Sequence, residues 1–261
     1  MQERHTRRDK YFEEQAFTTE RHVIPFINEV KHINHGTEVL EIGCGEGGNL
    51  KPFVDMGCQV TGVDILEGKI NNARKFFSGH PNENKLKLVV SDIYLPHHDL
   101  GGKFDVIFMR DVLEHIHDQE KFMGFVKKFL KPDGVFFLGF PPWQNPFGGH
   151  QQMCYSRFLS KLPWFHLLPG KLYPWVLKMF REPEVRVDAL LEIRDTRINI
   201  ERFRRIIRKE HYRVIKEVFW LINPNYEIKF NMKPRKMNRV ISSIPYLRDF
   251  LITTNYYVLG L

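Results

Sequence analysis

Cysteine is scarce in this chain, and long hydrophobic runs are absent. The 261 residues include three cysteines, and since no two of them form a CxxC pair, neither a disulfide framework nor a zinc site is expected. No apolar run approaches the ~20 residues that span a bilayer, so no transmembrane segment is predicted. Together these absences favour a protein of the reducing cytoplasm, long enough for one domain with a full core.

A glycine-rich turn is the most informative feature that is present. In VLEIGCGEGG, residues 39–48, an apolar strand runs into glycines at alternate positions and then into a predicted helix. Such a turn lets a ligand approach the backbone and a helix N-terminus more closely than a side chain would allow, so it predicts a cofactor site. Two signatures fit it: the dinucleotide pattern GxGxxG through Gly43, Gly45 and Gly48, with Asp64 as ribose ligand, and the pattern (E/D)xGxGxG through Glu41, Gly43, Gly45 and Gly47.

Four later segments decide between the two signatures. They are VTGVDI at 60–65, KLVVSDI at 87–93, FDVIFMRDVLEHI at 104–116 and LKPDGVFFL at 130–138. Taken in order, they resemble the class I S-adenosylmethionine-dependent methyltransferases, in the branch that acts on small molecules. A dehydrogenase has no reason to carry the last two segments. The resemblance covers residues 36–140 strongly and 197–261 weakly.

The alternation of short apolar strands with helical stretches predicts an α/β fold. With the resemblance, it implies a Rossmann-like, seven-stranded, mostly parallel sheet with an antiparallel edge hairpin, helices on both faces and a mainly helical lid. Strands are predicted near 38–42, 59–64, 86–90, 104–109 and 134–140, the edge pair at 212–222 and 255–261, and helices near 48–56, 67–77, 118–130 and 199–210. Residues 1–35 are predicted to form an N-terminal helical segment with a break at Thr18 and Thr19, and residues 36–261 the methyltransferase domain.

An insertion at about 141–196 lies outside what the core fold requires. It holds three of the four tryptophans, and prolines divide it into short pieces. A structureless loop of this length would be unusual, so short helices packed as a lid are expected. In the family that the chain resembles, insertions after the fifth strand commonly cover the acceptor.

The resemblance also implies roles for the residues around the glycine turn. Asp64 would accept both ribose hydroxyls, and Asp92 would receive the adenine amino group, although each also suits a turn or cap. Glu41 would hold the loop or the cofactor's amino group from below. The implied cofactor is S-adenosylmethionine, leaving as S-adenosylhomocysteine, and the implied binding set is Glu41, Gly43, Cys44, Gly45, Asp64, Ile65, Asp92, Ile93 and Arg110.

Methyl transfer to oxygen needs a group that removes the acceptor's proton. The protein must align the acceptor for in-line displacement, and a histidine or carboxylate usually takes the proton. His150, directly after the fifth strand, is the catalytic candidate; the alternative is a loop histidine bonded to a neighbouring carbonyl. Asp111, Gln151 and Tyr155 are candidates for acceptor contact. No metal site is predicted, because the paired histidines of the sequence lack a third ligand.

The net charge of +8 is concentrated near the C-terminus, where 197–216 holds eight lysines and arginines against two acids. A solvated helix face is the favoured interpretation, because isoleucines at helical spacing would leave the arginines outside. An anionic substrate, a membrane surface or RNA are the alternatives.

These patterns leave three hypotheses for function. The first is an enzyme that methylates a small aromatic, glycan or lipid-linked acceptor, most often at oxygen. The second is a methyltransferase acting on RNA or protein through the basic C-terminal surface, and the third is a cofactor-binding module without catalysis. Nucleic acid is the less favoured partner, and peripheral membrane contact stays open. The sequence gives neither the acceptor's identity nor the oligomeric state.

Overall fold

An eight-stranded sheet forms the centre of the described part of the molecule in the computed structural model. Residues 7–95, 100 and 102–261 are described, so the first six residues of the predicted N-terminal segment lie outside them. The strands are β1 (Glu38–Ile42), β2 (Gln59–Asp64), β3 (Leu86–Val90), β4 (Phe104–Arg110), β5 (Leu130–Phe140), β6 (Arg213–Ile222), β7 (Arg235–Lys236) and β8 (Thr254–Gly260). Their order is β3-β2-β1-β4-β5-β8-β6-β7.

The sheet confirms the predicted fold class. Strands β1 to β5 run parallel, and β8 lies antiparallel between β5 and β6, as expected of the edge hairpin. The eighth strand is the short β7, which pairs with β6 through Lys236 opposite Trp220. A strand of two residues is too short to show an alternating pattern, so the sequence analysis did not predict β7.

Helices cover both faces of the sheet. They are α1 (Arg8–Thr18), α2 (Ile24–Asn28), α3 (Lys51–Asp55), α4 (Glu67–Phe77), α5 (Gln119–Val126), α6 (Leu172–Met179), α7 (Glu184–Thr196), α8 (Ile200–Lys209), α9 (Asn225–Phe230) and α10 (Arg239–Ser242). Helix α5 begins after a side-chain cap, because the Asp118 side chain accepts a hydrogen bond from the Lys121 backbone N–H at 3.0 Å. In the described residues, no helix combines the length and apolar character needed to cross a bilayer.

The predicted break at Thr18 and Thr19 takes the form of a change in helix type. A π-helical turn (Thr19–Val23) joins α1 to α2 there. The Thr18 hydroxyl donates to the Glu14 carbonyl oxygen at 2.8 Å, and the Thr19 hydroxyl donates to Asn49 Oδ1 at 3.0 Å. The two threonines therefore continue the helix and attach it to the segment after the glycine turn, through a contact between residues far apart in sequence.

Alternation along β4 divides the interior into two apolar layers. Ile107 and Met109 point to the layer that α5 and α8 cover, while Val106 and Phe108 point to the layer under the N-terminal helices. Burial on both faces explains the near-continuous apolar runs of the central strands. It also fixes the carboxyl ends of β1, β2 and β4 along one edge of the sheet.

Residues 141–196 fold as short helical pieces around a small core of their own. Three 3₁₀ turns precede α6 and α7, and the core consists of Cys154, Leu159, Phe165, Tyr173, Leu177, Val187 and Leu190. The Gln119 side-chain amide donates to the Thr196 carbonyl oxygen at 2.6 Å. The Trp143 backbone N–H donates to the Ile198 carbonyl oxygen at 2.8 Å. The first bond attaches the end of this segment, called the lid below, to helix α5, and the second joins its start to the residues that directly follow it.

Two glycine-to-alanine changes should shift stability in opposite directions. A Cβ at Gly62 in β2 would lie 2.6 Å from Leu50 Cδ1 and 2.9 Å from Cys44 Sγ, whereas a Cβ at Gly68 in α4 would meet nothing within 4 Å. Gly62→Ala should therefore lower the free energy of unfolding by about 1–3 kcal/mol, and Gly68→Ala should leave it unchanged or raise it by up to about 1 kcal/mol. Urea unfolding measures both; equal effects would contradict the packing described for β2.

Candidate active site

The glycine turn directly follows β1, at the carboxyl ends of the parallel strands. It lies beside the boundary between β1 and β4, where the strand order reverses. Gly43, Gly45 and Gly47 all adopt left-handed backbone conformations, with φ of +74°, +56° and +80°. A Cβ at Gly43 would lie 2.6 Å from a Val112 methyl, while at Gly45 the nearest atom would be 3.9 Å away, on Lys69. Gly43 is thus packed against the loop after β4, and Gly45 faces open space where a ligand can reach the backbone.

Asp64, at the end of β2, is fixed by the turn itself. Its Oδ2 accepts a hydrogen bond from the Gly45 N–H at 2.8 Å, and its Oδ1 accepts one from the Leu66 N–H at 2.9 Å. Each carboxylate oxygen can accept a further hydrogen bond, so the pair could receive two adjacent hydroxyls. The orientation of this carboxylate fits a ribose.

The residues that follow the second and third strands provide apolar surface and one more acid. Ile65 and Leu66 are 66% and 51% exposed, and such exposed aliphatic side chains suit the flat face of a base. Asp92 is exposed, and its Oδ1 accepts the Tyr94 N–H at 2.9 Å, so it forms the turn that its sequence also allowed. Ile93 is buried in the core beneath the sheet, which directs its side chain away from this edge.

Glu41 lies buried beneath the glycine turn. Burial raises its pKa to about 8, against the opposing effects of a hydrogen bond from Asn49 and the nearby Arg110 charge. Asn49 Nδ2 donates to Oε1 at 2.7 Å, while Oε2 is buried without a partner. Arg110 itself is buried, and its guanidinium donates to the Thr19 hydroxyl at 3.4 Å. A free carboxylate oxygen at this position fits a cationic amino group approaching from the turn.

Cys44 contributes its backbone more than its thiol. The side chain is buried against Gly62, and its N–H donates to the Val63 carbonyl oxygen at 3.0 Å. Burial, with Glu41 and Asp64 nearby, raises the pKa of the thiol well above its usual value. The thiol is therefore a neutral packing group, and only the main chain of Cys44 borders the proposed ligand.

Across the turn, the loop after β4 and the start of the lid bring a carboxylate and two imidazoles together. Ligand atoms of Glu114, His115 and His150 all lie within 4.8 Å of one another, and the two rings meet edge to face at 5.1 Å. Glu114 is buried with neither carboxylate oxygen hydrogen-bonded, and burial raises its pKa well above the usual value. Asp111, half-exposed and left-handed at φ +57°, begins this loop.

His150 occupies a left-handed conformation at φ +53°. Burial, followed by the neighbouring His115 and His166, lowers its pKa to about 3. The imidazole is therefore neutral at physiological pH, with a lone pair that can accept a proton or bind a metal ion. The carboxylate and two neutral imidazoles are also a donor set that divalent cations accept. The spacing of histidines in the sequence did not reveal this donor set, because His115 lies next to the distant His150 and does not pair with His117, its neighbour in sequence.

The other two candidates for acceptor contact, Gln151 and Tyr155, make hydrogen bonds within the lid. Gln151 is fully buried, and its amide donates to the Pro146 carbonyl oxygen at 2.7 Å. Tyr155 is 56% exposed on the outside of the lid, and its N–H donates to Glu182 Oε2 at 2.9 Å. Packing of the lid decides both orientations, which a single sequence does not show.

Comparison with known proteins gives one family and several relatives. A family model described as a methyltransferase domain matches residues 12–154, more than half of the chain. The ubiquinone biosynthesis O-methyltransferase of Haemophilus ducreyi is 35% identical over 109 residues, which are 40% of this chain and 44% of the relative. That of Bartonella bacilliformis is 32% identical over 103 residues, 40% of each chain. The matches thus span less than half the length of these two curated relatives.

Solved structures agree on the fold. Geranyl diphosphate C-methyltransferase from Streptomyces coelicolor, in complex with Mg²⁺, geranyl diphosphate and S-adenosylhomocysteine, superposes with a TM-score of 0.55 at 11% identity, over 91% of this chain and 78% of the other. Magnesium protoporphyrin IX methyltransferase from Synechocystis, with S-adenosylhomocysteine bound, gives 0.53 at 14% identity, over 94% and 82%. At these identities the likeness concerns the fold.

The Asp64 carboxylate should be required for binding of S-adenosylhomocysteine. Asp64→Ala removes an acceptor for two hydroxyls, and since hydrogen bonds to a charged group contribute about 1.5–3 kcal/mol each, affinity should fall about 100-fold or more. Isothermal titration calorimetry measures it. Glu67→Ala, the same loss of charge at an exposed position in α4, is the matched control and should bind normally. Unchanged affinity in a folded Asp64→Ala protein would contradict the role assigned to this residue.

Proposed function

Since the chain belongs to the class I S-adenosylmethionine-dependent methyltransferases, the family whose domain model it matches, we propose that it transfers the methyl group of this cofactor to an oxygen atom of a small-molecule acceptor. The observation that carries the proposal is the position of the Glu114–His115–His150 cluster. Two of its members closely follow Val112, which packs against Gly43 of the glycine turn, and methyl transfer to oxygen needs a proton acceptor beside the cofactor.

The residues at the glycine turn fit the cofactor. Asp64 receives the ribose, the exposed aliphatic side chains of Ile65 and Leu66 cover the base, and the buried free oxygen of Glu41 faces the amino acid end. When bound, the cofactor supplies a methyl carbon already activated by a positive sulfur. The protein's remaining tasks are to align the acceptor with that carbon and to remove its proton.

The cluster is assigned the removal of that proton. His150 is neutral before the reaction, so its free lone pair can accept the proton of an acceptor hydroxyl as the new carbon–oxygen bond forms. Burial and two histidines weaken it as a base in the free protein. Glu114 lies close enough to stabilise the resulting imidazolium when it is ionised. In this arrangement Glu114 and His115 are positioning groups for His150.

An aromatic, glycan or lipid-linked acceptor is the class that we propose. The curated relatives are named as O-methyltransferases of ubiquinone biosynthesis, which supports oxygen as the receiving atom. The lid begins at Pro141 and contains His150, so an acceptor covered by it would lie beside the proposed base.

The basic C-terminal surface favours this proposal over an RNA substrate. Helix α8 buries Ile200, Phe203, Ile206 and Ile207, which leaves its arginines outside as a solvated face. Acids already pair with several of these cations: Arg204 lies 2.8 Å from Glu217 Oε1, and Lys209 pairs with Glu120. Paired charges are less available for phosphate contacts.

Replacing His150 should lower turnover and spare cofactor binding. His150→Asn removes the imidazole with a residue that tolerates the left-handed backbone, so the fold should persist. Loss of a general base reduces turnover about 10²–10⁴-fold, measured as radiolabelled methyl transfer with an acceptor identified among phenolic, glycan and prenyl-linked compounds. His117→Asn, at an exposed histidine nearby, is the control and should keep full activity. Wild-type turnover in His150→Asn would remove the catalytic role.

Treatment with EDTA distinguishes between two roles of the Glu114–His115–His150 cluster, as a proton acceptor and as a set of metal ligands. If His150 acts as a proton acceptor, turnover should be the same before and after chelation. Loss of turnover that returns on addition of Mn²⁺ would reassign Glu114, His115 and His150 as metal ligands. Elemental analysis of the purified protein supports the assay independently of activity.

A further inference from the structure

The outside of the lid carries large apolar side chains that no other part of the described chain covers. They lie between 37% and 61% exposed, and the set, called the outer lid face below, is Tyr155, Phe158, Leu172, Trp175, Met179 and Phe180. Single exposed apolar residues are ordinary, but a contiguous group of this kind marks an interaction surface.

Helix α6 supplies half of this face. Leu172, Trp175 and Met179 follow one another at intervals of three and four residues, which places them on one side of the helix. Tyr173 and Leu177 are buried on the other side, in the core of the lid. A helix that is apolar on both sides is normally buried on both, so the outer side of α6 lacks a partner.

The remaining residues extend the face beyond the helix. The Phe158 ring stacks on the Phe180 ring with their centroids 5.7 Å apart and their planes 11° from parallel. The N–H groups of Tyr155 and Ser156 both donate to the buried Glu182 carboxylate, which holds this loop beside the end of α6. These contacts hold the aromatic side chains of the loop and of the end of α6 together as one surface.

The segment that carries the face, residues 155–181, has charged side chains of one sign only. It holds five exposed cations: Arg157, Lys161, Lys171, Lys178 and Arg181. The sequence contains no aspartate or glutamate from 134 to 181, and none of the five forms an ion pair with an acid in the part of the chain that the structure describes. The next acid, Glu182, is buried and accepts backbone N–H groups.

We propose that the outer lid face docks on the surface of a bilayer that contains anionic lipids. Tryptophan, phenylalanine and leucine beside lysines and arginines are the composition of helices that lie in the membrane interface. The apolar side chains would enter the boundary between headgroups and acyl chains, while the lysines reach anionic headgroups.

A second copy of the chain and RNA fit this face less well. In a two-fold interface the same patch faces itself, so the five unpaired cations of one copy would face the same five of the other. Single-stranded RNA would use the cations and the aromatic rings. It would leave the aliphatic Leu172 and Met179 without a stacking partner.

Docking would bring the proposed acceptor site close to the membrane. The lid that carries the outer face also carries His150, and its end is hydrogen-bonded to helix α5 through Gln119. If the proposed function holds, a lipid-linked acceptor could be reached without leaving the bilayer. The docking itself does not depend on that function, and no acceptor or cofactor is needed to test it.

Vesicle flotation of the full chain tests the proposal. The protein should float with vesicles of phosphatidylcholine and phosphatidylglycerol, should float weakly with phosphatidylcholine alone, and should dissociate as salt is raised. Removing the apolar anchors with Trp175→Ala and Met179→Ala should abolish flotation. Removing two charges with Lys171→Gln and Lys178→Gln should lower partitioning about fivefold for each lysine. All four positions are exposed, so the thermal unfolding temperature should stay unchanged.

The matched control is the double variant Phe230→Ala and Met232→Ala, whose side chains are 51% and 43% exposed elsewhere on the molecule. It should float as well as the unmodified protein. The proposal would be overturned if this control lost as much flotation as the variant with Trp175→Ala and Met179→Ala. It would also be overturned if the unmodified protein showed no preference for anionic vesicles. A dimer in gel filtration that the outer-face variant dissociates, or displacement of vesicles by single-stranded RNA, would overturn it as well. A protein that floats but methylates nothing would refute only the proposed function.

Discussion

The hydrogen bond from the Gly45 N–H to the Asp64 carboxylate is the interaction on which the rest of the site depends. It requires the left-handed backbone of the turn, and it fixes the carboxylate that is proposed to hold the ribose. The same turn packs Gly43 against Val112, directly before the loop that carries Glu114 and His115. One backbone conformation therefore determines both the cofactor side and the acceptor side, and a side chain at Gly43 would disturb both.

Burial has the same effect on several ionisable groups here. It raises the pKa of Glu41 to about 8 and that of Glu114 well above its usual value, and it lowers the pKa of His150 to about 3. Each group is shifted towards its uncharged form. His150 is therefore a neutral imidazole that can accept a proton. The low pKa also makes His150 a weak base until a charged neighbour assists it.

Local patterns predicted most of the fold and named the candidates for the cofactor side of the site. Helix α4 lies where the helical pattern placed it, at residues 67–77, and the central strands lie where apolar runs end in glycine or acid. The two-residue strand β7 was missed because it arises from pairing with β6, and the irregularity at Thr19 was expected as a break and not as a π-helical turn bonded to the distant Asn49. The meeting of Glu114 with His150 was missed for the same reason. It depends on the packing of the lid against the main sheet, which no spacing in the sequence encodes.

The most direct test of the account is to titrate the purified protein with S-adenosylhomocysteine and, separately, with NAD. The glycine turn and its acid fit the signatures of both cofactor classes, whereas the family match assigns this chain to the methyltransferases. Calorimetry should show binding of S-adenosylhomocysteine and no binding of NAD. Binding of NAD alone would contradict the account, and the roles proposed for Asp92, Glu114 and His150 would have to be withdrawn.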